Sequence, residues 1–317
     1  MSELTGLTPE SVQSEIKKSR HKAELPFYAI NIILSVIAFA VFFYYGFRDN
    51  GILDQIKDSL SKENITDVSP EFNTIFILAV TIISVIGGLG LLIYYILRYL
   101  YSCYQTYGKS ISYSIRVSEK NYPELYEKVK EFTRLLGLKK EPEVYVRQSN
   151  GSINAFASWV PGKNFVQINA EVLDLAYMEN KDIDTVAFIM AHEFGHIYFH
   201  HINMFYQLWA EFIGFVPIVG TLIFAPLFWR SQEYTADRVA QALTGGKNQE
   251  EGMMLLAAGR HLYKHTDINN FIEWANRDHN FIERFMRFLI NLGASHPVMP
   301  FRVAAILDKT KKSGRLI

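Results

Sequence analysis

His192-Glu193-Phe194-Gly195-His196 joins residue types that bind a metal and move protons at a spacing that suits both tasks. In a helix, residues four apart point the same way, one turn apart, so two imidazoles can share one ion at a Zn–N distance of about 2.0–2.1 Å. Glu193 stands one position after the first histidine, about 100° round the helix. That is too far to join the pair comfortably, but it suits a carboxylate that takes a proton from water at the metal. A catalytic zinc needs a third protein ligand and an open position. A histidine ten positions after His192 is one solution, yet that position is Ile202. Glu211 has no acidic partner one turn on, where Phe215 stands. Glu233-Tyr234-Thr235-Ala236-Asp237 fits better, since Glu233 can bind the metal while Asp237, one turn later, accepts the free N–H of a ligating histidine. His200 and His201 fall about a turn or more past the metal, which suits surface or supporting roles.

These residues need a rigid helix beneath them, and the sequence predicts one. Asp182-Ile183-Asp184-Thr185 offers capping oxygens and negative charge where the helix dipole favours it. Val186, Ile189, Met190, Phe194 and Ile197 then recur at helical spacing, and nothing breaks the pattern before about Asn203. Upstream, Tyr122–Leu136 reads as an amphipathic helix introduced by Asn121 and Pro123 and ended by Gly137. Glu143–Arg147 alternates as a strand, and Asn154–Val160 with Asn164–Asn169 reads as a hairpin across Pro161-Gly162-Lys163. From Asp182 onward the pattern is almost entirely helical. The expected fold class is α+β, mainly helical with a small β-sheet.

The chemistry-bearing run belongs to a longer ordered set. Asn154-Ala155-Phe156-Ala157 precedes the Phe165-Val166-Gln167-Ile168 strand and a short helix around Leu173; Glu233 to Asp237 is continued by Arg238; Ser295-His296-Pro297 is followed by Arg302. From about Tyr122 to Leu307 this set resembles the HtpX-like membrane zinc metalloproteases, which also include the CAAX prenyl proteases and the mitochondrial Oma-type proteases. The resemblance implies a gluzincin-type domain with His192, His196 and Glu233 as zinc ligands and Glu193 as general base. It further implies His296 near the developing oxyanion, Asp237 orienting a ligand, and Arg302 beside them. Asn154, Ala155, Phe156 and Ala157 would form the edge that holds the substrate backbone. Ser158-Trp159 stands where the family commonly has glycine, which alters the shape expected of that edge.

The chain has 317 residues, no formal net charge and 49% hydrophobic residues. That balance offers no basis for a nucleic-acid partner. Pro26 to Phe47 and Phe72 to Leu97 are uncharged runs long enough to cross a hydrocarbon core of about 30 Å, with Tyr44, Tyr45, Tyr94 and Tyr95 near their ends. Phe42-Phe43-Tyr44-Tyr45 offers no small-residue cleavage site, so the first run reads as an anchor and not a signal peptide. Neither run has an ionisable residue at its centre, as a transport pathway would. The expected order is a cytoplasmic lead (1–25), a transmembrane helix (26–47), a non-cytoplasmic loop (48–71), a second transmembrane helix (72–101) and a protease domain (102–317). Lys17, Lys18, Arg20 and Lys22 before the first run and Arg98, Lys109, Arg116 and Lys120 after the second put both termini and the protease on the cytoplasmic side of a cell (inner) membrane. Cys103 is the one cysteine, so no disulfide forms within the chain.

Residues 212–229 form another apolar run. A single crossing there would separate His196 from Glu233. Pro217, Gly220 and Pro226 suggest a broken hairpin, either dipping into the bilayer or packed in the domain. The whole reads as a membrane-anchored zinc endopeptidase for membrane-proximal or misfolded proteins. The rivals are a specific processing protease, such as one for lipidated substrates, and a silent zinc-binding membrane scaffold. Glu193 argues against the scaffold, because a structural zinc needs no base and usually takes four Cys or His ligands.

Overall fold

The computed structural model describes residues 8–47, 58, 70–174, 177–178, 183–213, 218–259, 261–277, 280–308 and 314–316. The expected loop 48–71 (apart from 58, 70 and 71), Asp182 and residues 214–217 lie outside the described residues.

A short helix α1 (Pro9–Ile16) leads into α2 (Glu24–Phe47). Helix α3 (Pro70–Tyr113) is continuous for 44 residues, so it does not stop at the expected limit of 101. At 1.5 Å per residue it is about 66 Å long. The chain then gives β1 (Ile115–Arg116), α4 (Pro123–Leu136), β2 (Glu143–Arg147), β3 (Ala155–Val160), β4 (Lys163–Asn169) and α5 (Ala170–Asp174). The rest is helical: α6 (Ile183–Tyr198), α7 (Met204–Phe212), a π-helical turn (Gly220–Phe224), α8 (Ala225–Thr244), α9 (Gln249–Ala258), α10 (Ile268–Asn276), α11 (Phe281–Asn291) and α12 (Met299–Leu307). The fold is α+β, mostly helical with one four-stranded sheet in the order β1-β2-β4-β3. β2 and β4 run parallel, and the other pairs are antiparallel. The β3–β4 hairpin turns on Pro161 and Gly162, where Gly162 takes a φ of +86° that its lack of a Cβ allows. β3 is therefore an edge strand, and it packs against α6.

α6 is buried almost all round, from Thr185 to Ile197, as a helix apolar on every side must be. Phe188 and Phe194 lie in the main core with Phe132 of α4 and Ile168 of β4. Its closest partner is α8. A Cβ on Gly195 would stand 3.0 Å from the Ala236 Cα and 3.1 Å from the Val239 Cβ. The missing side chain lets α8 approach at the turn that bears Glu233 and Asp237. Gly195→Val should cost about 1–3 kcal/mol by overpacking and weaken metal binding together with stability. A variant that melts and binds metal like the parent would show that this close approach is dispensable.

α6 ends at Tyr198, short of the expected Asn203. His200 adopts a φ of +60°, while the His201 N–H donates to the His196 carbonyl and the His200 N–H to the Ile197 carbonyl. This is a Schellman-type end built without glycine. It bends His201 back toward the helix axis. Other boundaries shift by one or two residues: α2 and α3 begin at Glu24 and Pro70, ahead of the expected 26 and 72, and β4 takes in Lys163, expected in the turn. α4 begins at Pro123 after Tyr122 with φ +60° and no side-chain cap, and β3 begins at Ala155, leaving Asn154 just before it.

α2 packs one face on α7, the π-helical turn and α8, with Tyr28 stacked on Tyr206 and Phe39 edge-on to Phe212. Among the described residues, one stretch, Glu24–Val41, is long and apolar enough to cross a membrane. The later half of α3 underlies the sheet, where Tyr107 packs on Phe165 and Ser110 Oγ donates to Gln167 Oε1 at 3.0 Å. In the 212–229 run the arms are buried (Phe212, Ile213, Leu227, Phe228), and Ile218 near the bend is exposed.

Candidate metal centre

α6 supplies His192 and His196 and α8 supplies Glu233, and one donor atom from each lies within 4.8 Å of the others. His192 Nε2 and His196 Nε2 are 3.1 Å apart, and each is 3.5 Å from a Glu233 carboxylate oxygen. Tetrahedral ligands at about 2.05 Å from zinc sit roughly 3.3 Å from one another. These separations are close to what the ion asks for, Glu233 meeting His192 through Oε2 and His196 through Oε1, and the open side of the donor triangle faces a cavity of about 400 Å³. Glu193 lines that cavity.

Each ligand is braced from behind. Asp237 Oδ1 is 2.8 Å from His192 Nδ1, so His192 donates there and keeps Nε2 for the metal. Arg302, from α12, holds Asp237 through two bonds, Nε to Oδ2 at 2.9 Å and NH2 to Oδ1 at 2.6 Å, and its NH1 reaches Glu233 Oε2 at 3.0 Å. Burial opposes charge on Glu233, yet Arg302 and the two histidines hold its carboxyl well below the usual carboxylate range. Asp237 is lowered in the same way against its burial, chiefly by Arg302. Glu193, Glu233 and Asp237, when ionised, outweigh Arg302 by two negative charges, which a divalent cation would neutralise.

The remaining expected residues come to the same cavity. Asn154, Ala155, Phe156 and Ala157 line it along the β3 edge. Asn154 is exposed, and its Oδ1 accepts the Ala155 N–H at 3.0 Å. His296 is exposed, with Nε2 3.6 Å from Glu233 Oε1 and Nδ1 2.8 Å from Ser295 Oγ. Sequence reasoning left His201 a surface or a supporting role; it is buried and takes the supporting place, with Nδ1 2.9 Å from His196 Nδ1 and Nε2 3.3 Å from Glu24 Oε1. Burial pushes His201 down to about 4, against the pull of Glu24. His200 is exposed, as expected.

Residues 119–310 match the profile of peptidase family M48. The chain belongs to that family. No curated protein and no solved structure matches it. The M48 match spans every residue of the donor triangle and its braces, and the family's name gives the site a peptidase chemistry. It begins after α2 and α3, so neither apolar helix is part of it.

Proposed function

We propose that this chain is a membrane-anchored zinc endopeptidase of the HtpX-like kind, which hydrolyses peptide bonds of membrane-proximal or misfolded proteins. The observation that carries the reading is the convergence of His192, His196 and Glu233, one donor atom of each within 4.8 Å of the others, beside Glu193 in a cavity bounded by an edge strand. A zinc ion held there supplies Lewis acidity, polarising a carbonyl and lowering the pKa of water from 15.7 to about 7. Glu193 then accepts the proton of the attacking water and passes it to the leaving amine. His296, exposed at the cavity mouth, donates toward the oxygen that gains charge. An extended substrate pairs with the free edge of β3 by main-chain bonds, which gives affinity with little demand on side-chain identity. Because Asn154 already caps its own strand, its part is to fix the start of that edge.

α2 and the first half of α3 are the two spans. Their sidedness is supported by contacts at the ends. Glu24, first in α2, and Tyr99, just past the apolar part of α3, both touch the turn after α6: Glu24 at His201 and Tyr99 by donating to the Ile202 carbonyl at 2.9 Å. The lead 1–25 and the domain 102–317 then share the cytoplasmic side of a cell (inner) membrane, with 48–71 opposite. The exposed Ile218 and the apolar residues of α11, none of them buried, face the lipid surface.

The test uses the full chain. Alkaline extraction should leave it in the membrane pellet; its release would end the anchoring claim. In mild detergent it should carry one zinc per chain and cleave an unfolded model protein, lose cleavage to a chelator and regain it with zinc. Cleavage indifferent to chelation would overturn the metal mechanism.

A further inference from the structure

We infer that Glu24, at the head of α2, is a positioning residue for the metal centre, acting on His196 through His201. This rests on the metal-ligand reading of His192, His196 and Glu233. Glu24, His201 and Thr235 are almost wholly inaccessible to solvent. Glu24 Oε1 accepts from Arg20 NH1 at 2.7 Å and lies 3.3 Å from His201 Nε2, while Oε2 accepts from Thr235 Oγ1. An ionised carboxylate only accepts hydrogen bonds, so His201 Nε2 carries a proton and donates it to Glu24. The 2.9 Å contact between His201 Nδ1 and His196 Nδ1 needs one donor and one acceptor. A ligand that gives its Nε2 lone pair to a metal keeps its proton on Nδ1, so His196 donates and His201 accepts. The direction of the chain is thus set from its far end. Glu24 fixes the His201 tautomer, His201 fixes that of His196, and His196 Nε2 faces His192 and Glu233.

The two ligand histidines are therefore braced by carboxylates in different ways. His192 meets Asp237 directly on α8, and His196 meets Glu24 through one imidazole. Asp237 lies within the M48 match and Glu24 lies ahead of it. A segment that reads as a membrane anchor thereby completes the metal site. Its first residue is a buried carboxylate that a mere anchor does not need, because such charges are costly to bury without a purpose.

The experiment is a double-mutant cycle on the full chain in detergent, read by competition for zinc with a chromogenic chelator. Glu24→Leu should weaken zinc binding about 10–100-fold, the usual effect of losing an outer partner of a ligating histidine. His201→Phe should weaken it similarly, and the double variant no further than either single. Glu24→Gln, which keeps an acceptor oxygen, should stay close to the parent. Cobalt absorption should change in E24L and H201F and be preserved in E24Q. Parental zinc affinity in a folded E24L or H201F, or effects that simply add in the double variant, would overturn the inference. Should E24L not fold, H201F decides alone, with parental affinity again overturning it. A parent that binds no zinc would defeat the metal reading and this inference together; a binding parent matched by its variants would defeat only the inference.

Discussion

Glu193→Gln keeps its metal and loses peptide cleavage by about 10²–10⁴-fold, the usual worth of a positioned general base. The substitution preserves shape and leaves the His192, His196 and Glu233 triangle untouched, so zinc content should equal the parent's. Glu193 is set apart from the ligands by the helix itself. One step from His192 turns its side chain about 100°, and it lines the same cavity as the donor triangle, Ala155 and Ala157. The amide holds no basic oxygen, so water at the site loses its proton acceptor and the leaving amine its donor. Metal analysis beside single-turnover cleavage separates the two effects. Undiminished cleavage with full metal would remove Glu193 from the chemistry, and full metal with no cleavage by either form would favour the silent scaffold.

Arg302→Met should lower the stability of the metal-free protein by about 3–5 kcal/mol, the range seen when one partner of a buried ion pair is removed. Arg302 makes three short bonds to two buried carboxylates, and methionine offers similar bulk with no donors. Lysine should rescue poorly, because one ammonium cannot reproduce the fork across Asp237. Zinc should recover part of the loss by replacing the missing positive charge. The pH dependence has a definite sign. Both carboxyls are depressed in the folded state, so they contribute stability above their unfolded values near pH 4, and this is lost as pH falls through the depressed ones. Removing Arg302 raises the folded values, so acid unfolding should begin at a higher pH. Denaturant melts at several pH values, with and without zinc, read all of this; near-parental melts across the series would refute it.

The sequence was most legible where chemistry depends on local spacing. His192, His196, Glu233 and Asp237 sit one turn apart on two helices, and periodicity alone puts each pair on one face. The hairpin from Ala155 to Asn169 was legible from alternation and a Pro-Gly turn. His201 was not. Its position depends on His200 entering the left-handed region, where glycine would have marked the helix end and histidine does not. Glu24 was hidden for another reason: a charge ahead of an apolar run reads as a flank, and only the fold, nearly 180 residues later, shows what it meets. The part played by Gly195 is not legible from the motif because it lies in the approach of α8. β1, two residues long, leaves no pattern to detect.

The unbroken α3 sets a depth. Its apolar run ends at Leu97, and two residues on, about 3 Å along the axis, Tyr99 grips the Ile202 carbonyl beside the metal helix. On the membrane reading, the scissile position is therefore held at a constant small height above the lipid. An extended chain advances about 3.3 Å per residue, so a segment emerging from the bilayer reaches that height within a few residues. On that same reading α3 would work as a gauge rod: how far a chain protrudes would decide what is cut as well as its side chains, and stubs shorter than the gauge would be left whole.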